Sequence, residues 1–167
     1  IGVSDGTNVG VGLGLSITVN TIENTARALL DNSPVTLTSG GLTMVADSNS
    51  DIDSLAFGVG LSVTAGSGTN VSINAIGAAA SNSVTNTIEA AITGDTETVN
   101  AAGAVSLAAS DDSSLQAIGV AATVTVGAGG STNGGGSLVA AVVVNDIDNT
   151  ASSRIEGVDV TTTVGGV

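Results

Sequence analysis

The chain repeats itself with a period of 62 to 63 residues. The segment Asn20–Thr25 returns as Asn82–Thr87 and again as Asn145–Thr150, 62 and 63 residues further on. The run Leu42–Ala46 likewise matches Val105–Ala109, 63 residues later. A fixed period is typical of stacked-repeat proteins, in which each unit buries its apolar face against its neighbours. The period therefore predicts a function carried by a surface of equivalent copies rather than by a single catalytic cleft.

Alternation of large and small residues dominates the chain between these anchors. The runs 55–64 and 118–126 alternate apolar residues with small or polar ones, which predicts β-strands with one side turned into a core. Turn-forming residues separate the strands, for example at 31–34 and 127–136. Because 42% of the residues are hydrophobic but only one is aromatic, we expect a core of Ala, Val, Ile and Leu. The chain is predicted to be all-β.

The repeat length suggests how the strands are arranged. Dividing one repeat by three gives coils of about 21 residues, a length usual for solenoids. We therefore expect a parallel β-helix with about three coils per repeat, in which Asn20, Asn82 and Asn145 form a column spaced by roughly 14 Å. The alternative is an antiparallel β-sandwich, in which glycine-rich segments at 65–70 and 127–136 are hairpin tips.

The predicted domain is a single repetitive unit over 1–167, with repeats at roughly 1–54, 55–117 and 118–167. We expect it to be an excerpt of a longer chain or a filament subunit. Its open ends would then pair with copies of itself end to end, or with adjoining repeats of a parent chain.

Charge and composition exclude several functions. The chain has fifteen acidic residues and only two basic ones, Arg27 and Arg154, so its net charge is −13 and it has no basic patch that could bind nucleic acid. The uncharged stretches 54–88 and 113–145 are interrupted by Gly, Ser, Asn and Thr, so we expect no membrane span. The chain has no His, Lys, Tyr or Cys, the usual catalytic bases and nucleophiles. We therefore expect no enzymatic activity.

One segment resembles a metal-binding loop. Asp47, Asn49, Asp51 and Asp53 place oxygen atoms at alternate positions, as the opening of an EF-hand calcium loop does. The rest of that loop is missing, because Ile52 stands where glycine is needed and no carboxylate follows at the twelfth position. The segment is either an incomplete Ca²⁺ site or a solvated acidic turn, and we expect no other cofactor.

The recurring asparagines have a structural interpretation. Asn20 and Asn24 return with the repeat as Asn82 and Asn86 and then as Asn145 and Asn149. Asparagine tolerates left-handed backbone and bonds to its own turn, so these residues are expected at coil corners. The alternative is that their amides contact host or matrix glycans.

The segment Gly103–Ile118, followed by a Gly/Ala/Val alternation and then by Val144–Thr150, resembles the repeats of very large secreted bacterial adhesins, the filamentous-haemagglutinin and leukotoxin-like group. This resemblance implies a right-handed parallel β-helix displayed outside the cell or on its surface. It also implies a role in adhesion or biofilm matrix, with no catalytic residues. The function expected is that of a structural stalk or filament module; the alternative is a module that binds Ca²⁺ or glycans through Asp and Asn turns.

Overall fold

The structure, a computed structural model, describes residues 2–4 and 6–167, with 2–4 described as backbone alone. The prediction of an all-β chain is confirmed. The strands are β1 (Gly2–Ser4), β2 (Asn8–Asp31), β3 (Val35–Leu37), β4 (Leu42–Ser48), β5 (Asp51–Gly66), β6 (Thr69–Thr93), β7 (Thr98–Ala101), β8 (Val105–Asp111), β9 (Ser114–Ala128), β10 (Thr132–Ile147), β11 (Thr150–Glu156) and β12 (Asp159–Thr162). None of the described residues forms a helix long and apolar enough to cross a membrane.

Strands from successive repeats lie side by side in parallel sheets. One sheet has the order β1-β5-β9, a second joins β2, β10 and β11 to β6, a third is β12-β7-β3 and a fourth pairs β4 with β8. Leu42 pairs with Val105 and Thr87 with Thr150, so residues that are equivalent in the repeat are direct partners in the structure. Each sheet therefore combines strands from different repeats.

The prediction of three coils per repeat is wrong. The side-chain amide of Asn20 donates to Asn82 Oδ1 at 2.8 Å, so equivalent residues are direct neighbours and not separated by roughly 14 Å. The reason is strand length. β2 and β6 contain 24 and 25 residues, whereas strands usually have about 3 to 10. These long strands account for the residues that the prediction distributed over additional coils.

The antiparallel sandwich is also wrong. β5 and β6 follow each other in the chain across residues 67–68, but they belong to different sheets and form no hairpin. The registers of β5 with β1, of β6 with β11, of β7 with β3 and β12, and of β4 with β8 are all parallel.

The chain divides into two compact units, and each takes one segment from each repeat. Unit 1 contains Ile1–Asn20, Ile52–Asn82 and Leu115–Asn145; unit 2 contains Thr21–Asp51, Ser83–Ser114 and Asp146–Val167. Unit 2 has the aliphatic core expected from the composition, since Val84, Ile88, Ile92 and Val99 are completely buried. The partly buried Leu30, Leu42 and Met44 are among those that pack against this core.

Unit 1 has the expected core only in part. Ala56 and Ile76 are buried as expected, but Asn70 and Asn74 are buried as well, whereas Phe57 points outward and is exposed. The physical reason is the close approach of the backbones inside the unit. A Cβ added to Gly58 would lie 2.7 Å from the carbonyl oxygen of Gly77, so a side chain has no room at this position. Small and polar side chains therefore fill most of the interior, and most of the large apolar side chains of this unit face out.

Candidate functional site

Three columns of asparagine run across the strands, one residue from each repeat. We call them the asparagine ladders. The first consists of Asn8, Asn70 and Asn133, the second of Asn20, Asn82 and Asn145, and the third of Asn24, Asn86 and Asn149. The expectation that Asn82 and Asn86 mark corners is wrong, because both lie within β6 and are buried. An amide carries both a donor and an acceptor, so in the first two columns identical residues one layer apart bond to each other through their side chains.

The two ladders of unit 1 have a direction. Asn20 Nδ2 donates to Asn82 Oδ1 at 2.8 Å, and Asn82 Nδ2 donates to Asn145 Oδ1 at 2.9 Å. The ladder that passes through Asn70 runs the same way, with both of its bonds at 3.0 Å. Asn82 also donates to the Ser54 hydroxyl at 2.9 Å. Because each donor points toward the next repeat, the column that begins at Asn20 ends on the Nδ2 donor of Asn145.

The ladder of unit 2 ends on a carboxylate. The Asn86 backbone N–H donates to Asn149 Oδ1 at 2.8 Å, and Asn86 Nδ2 donates to Asp111 Oδ1 at 2.9 Å. Asn149 Nδ2 and the Ser113 hydroxyl also donate to Asp111. Burial raises the pKa of the Asp111 carboxyl, but the hydrogen bonds from Asn86, Ser113 and Asn149 outweigh it and hold the pKa below its usual range. Asp111 therefore accepts these bonds as an anion.

The residues predicted to bind calcium lie on the surface. Asp47 is in β4, Asp51 and Asp53 are in β5, Asn49 lies between these strands, and all four are exposed. The hydroxyl of Ser114 donates to Asp51 at 2.7 Å, and the hydroxyl of Ser110 donates to Asp47. No three His, Cys, Asp or Glu side chains in the described part of the chain are grouped as metal ligands are. The calcium site stays a prediction.

Both arginines of the chain contact one glutamate on unit 2. Arg27 Nε lies 3.2 Å from Glu89 Oε2, and Arg154 Nη1 contacts Glu89 Oε1. Glu89 is only 8% exposed, so its charge is compensated by these two cations rather than by water. Sequence reasoning missed this cluster, although the 62-residue spacing of Arg27 and Glu89 is the signal that would have found it.

The first and third repeats present strand edges. Within the described residues, β2 pairs with β6 alone, and so do β10 and β11. Every residue of β10 is exposed. A strand edge carries backbone donors and acceptors that can pair with another strand. The candidate functional site therefore consists of these edges: β2, which carries Asn20, and β10, which carries Asn145.

Comparison of the chain with protein-family models, curated proteins and solved structures finds no match. What these edges can do chemically is pair with further strands, because they combine backbone hydrogen-bonding groups with an amide column of fixed direction.

Proposed function

We propose that this chain is a structural module of an extracellular bacterial adhesin or fibre. In this proposal it is a length of right-handed parallel β-helix that extends a stalk or filament by strand pairing at its two edges. It presents a repetitive acidic surface outside the cell. The partner at each edge is a second copy of the chain or an adjoining repeat of a parent chain.

The observation that carries the proposal is the direction of the ladder through Asn82. Asn145 follows Asn82 in the column as Asn82 follows Asn20, and each bond places Nδ2 against the next Oδ1. A second copy placed with its β2 beside β10 would continue the column, because Asn145 would donate to Asn20 of that copy. Such a contact joins unlike edges, and contacts of this kind produce open filaments unless the rotation closes a ring.

Charge sets the conditions for this assembly. The net charge of −13 makes copies repel one another, and both arginines are already paired with Glu89. Salt screens repulsion between exposed charges, with a Debye length of about 10 Å at 0.1 M. Assembly is therefore expected to increase with ionic strength.

The test changes one atom of the ladder. In Asn145→Asp the remaining carboxylate oxygen still accepts from Asn82, so the fold is expected to persist. The donor that would reach the next copy is replaced by a charged acceptor, which faces Asn20 Oδ1 of that copy. Asn100→Asp is the matched control, because Asn100 is exposed on β7 and outside the ladders.

Light scattering and electron microscopy across a series of salt and protein concentrations provide the readout. We expect thin filaments from the parent and from Asn100→Asp, and none from Asn145→Asp, with far-ultraviolet circular dichroism showing all three folded. A parent that stays monomeric at high concentration and high salt would refute the proposal. So would Asn145→Asp filaments as abundant as those of the parent.

A role in binding calcium is the alternative, since Asp47, Asp51 and Asp53 are exposed. Calorimetric titration with Ca²⁺ separates it from a purely structural role. Saturable heat in the parent, lost when the three aspartates are replaced by Asn, would assign the site. Heat that only follows ionic strength would assign an acidic turn.

A further inference from the structure

One outer face of unit 1 is aliphatic and without charge. It is formed by the outward side chains of 8–20 in β2, 69–82 in β6 and 132–145 in β10, and we call it the β2 face. Its most exposed row has relative exposures from 58 to 79% and consists of Val9, Val11, Leu13, Leu15, Ile17 and Val19. In the third repeat, Leu138, Val142 and Val144 are also more than half exposed.

This face reverses the usual order of inside and outside. Gly10, Gly12 and Gly14 alternate with those aliphatic residues and face the interior. A Cβ at these three positions would meet the side chains of Thr64, Asn74 and Ile76, respectively. The largest apolar patch on a typical monomer covers about 300 to 600 Å² and is often functional. Because the large side chains of this β2 row are more than half exposed, only a surface outside unit 1 can bury the rest of their area.

We propose that the β2 face packs against the β2 face of a second copy. Thirteen residues of strand are about 44 Å long and three strands are about 14 Å wide, which gives roughly 600 Å² of face. Two such faces together bury about 1,200 Å², the lower end of the range for stable interfaces. A twofold axis lets one face serve both copies, and two-fold dimers are the commonest oligomers.

The relief of the face suits a second sheet. Over 75–79 the outward residues of β6 are small, and bulkier residues of β2 and β10 lie on either side of them. This local trough ends at Ile73, which also points outward from β6 and is 51% exposed. Leu15 Cδ1 lies 3.0 Å from the position that a Cβ on Gly77 would occupy, so this leucine leans over the small row. Packed sheets lie about 10 Å apart with interdigitated side chains, and a trough between two ridges accommodates a ridge of the partner.

A second copy fits this face better than a lipid surface does. The β2 face contains no Arg, Lys, Trp or Tyr, the residues that anchor proteins at membrane interfaces. A net charge of −13 is repelled by anionic bilayers. The contact uses side chains of a sheet face, whereas the end-to-end contact proposed above uses strand edges, so the two can be tested separately.

The test is sedimentation velocity and equilibrium in the Asn145→Asp background, where edge pairing is suppressed, over a series of salt concentrations that screen the repulsion between copies. The variant Leu13→Ser/Leu15→Ser changes the two most exposed leucines of β2. The matched control is Leu29→Ser, because Leu29 also points outward from β2 and is 49% exposed, but lies in unit 2. We expect a dimer whose dissociation constant rises about 10- to 100-fold per leucine replaced and changes less than about 2-fold in the control.

A second measurement keeps the proposal testable if a serine variant unfolds. The chain has no cysteine, so Leu15→Cys and Leu29→Cys each provide a unique site for a nitroxide label. Because the face is about 44 Å long, double electron–electron resonance should give a distance below about 40 Å between two copies labelled at Leu15→Cys. The label at Leu29→Cys is the reference for a site outside the face.

Three results would overturn the proposal. The first is a protein that, in the Asn145→Asp background, is monomeric at every concentration, with no distance between labels at Leu15→Cys. The second is an equal loss of dimer in Leu29→Ser. The third is a monomer that floats with phosphatidylcholine vesicles and loses this binding in Leu13→Ser/Leu15→Ser, which would assign the face to lipid. Filaments that form from the parent in any of these cases would leave the edge proposal standing.

Discussion

Replacing Asn82 with alanine tests whether the asparagine ladders stabilise the fold. Asn82 is 1% exposed and occupies the centre of its column. It accepts from Asn20 at 2.8 Å and donates to Asn145 and Ser54, both at 2.9 Å. Alanine removes all three bonds and leaves three polar groups of unit 1 without the partner they had.

The magnitude follows from these contacts. A hydrogen bond contributes about 1 kcal/mol net, and a buried group left without its partner costs about 1–3 kcal/mol. We therefore expect Asn82→Ala to lower the free energy of unfolding by about 3 kcal/mol. For a chain of this length, that corresponds to a fall in Tm of about 6–12 °C.

The assay is urea and thermal denaturation followed by far-ultraviolet circular dichroism. Asn100→Ala is the control, because Asn100 is exposed on β7 and its removal should change stability by less than about 0.5 kcal/mol. If Asn82→Ala loses less than about 1 kcal/mol, or no more than the control, the ladder is not a stabilising device and the reasoning fails.

Three further substitutions test other contacts by the same denaturation assay. Gly157 has φ +70°, and a Cβ there would meet a carbonyl oxygen, so Gly157→Ala should lower the free energy of unfolding by about 1–3 kcal/mol. Gly134→Ala is the control, because a Cβ at Gly134 meets open space and should leave stability nearly unchanged. Equal effects of the two substitutions would contradict this. Glu89→Gln leaves Arg27 without its carboxylate and Arg154 with the exposed Glu156 alone, so it should cost about 1–2 kcal/mol. Glu156→Gln, whose side chain is 75% exposed, should cost less than about 0.5 kcal/mol. The lowered pKa of Asp111 stabilises the fold above the ordinary aspartate pKa of about 3.9, and this contribution is lost as pH falls through the lower folded pKa. Stability should therefore fall less steeply below about pH 4 in Asp111→Asn than in the parent, and identical acid profiles would show that these hydrogen bonds do not favour the charged form.

The period identified the equivalent residues of the repeats, but the expectation of three coils per repeat kept them apart, whereas the structure pairs them directly. Leu42 and Val105 are equivalent in the repeat, and they are paired in the structure. In-register stacking places like residues beside each other, so the period itself reports the register. For the same reason the 62-residue spacing of Arg27 and Glu89 indicates that the two side chains are neighbours and can form an ion pair. Counting charges alone did not reveal this pair.

The direction in which each face points could not be predicted in the same way. Alternation at 55–64 separates two faces, but it does not say which is inside. That choice depends on the distance between backbones, and at Gly58 there is no room for a Cβ against Gly77. The role of Asn82 was misassigned because a corner and a ladder both need a residue that donates and accepts, and only the length of β6 distinguishes them. Both errors concern contacts between distant segments.

Strands that are equivalent in successive repeats of 62 to 63 residues pair directly with each other, and disulfide formation tests this pairing most directly. Thr43 and Ser106 are paired in register between β4 and β8, and both are exposed. Adjacent strands lie about 4.8 Å apart, within the range of Cα distances that a disulfide spans. In the chain without other cysteines, Thr43→Cys/Ser106→Cys should oxidise rapidly to an intrachain disulfide.

The control is Thr43→Cys/Ser110→Cys, because Ser110 is also exposed on β8 but lies four residues, about 13 Å, further along the strand. Mass spectrometry and non-reducing electrophoresis of dilute protein report the bond. The account predicts fast cross-linking of the first pair and little of the second. Equal rates for the two pairs, or no bond between positions 43 and 106, would contradict it.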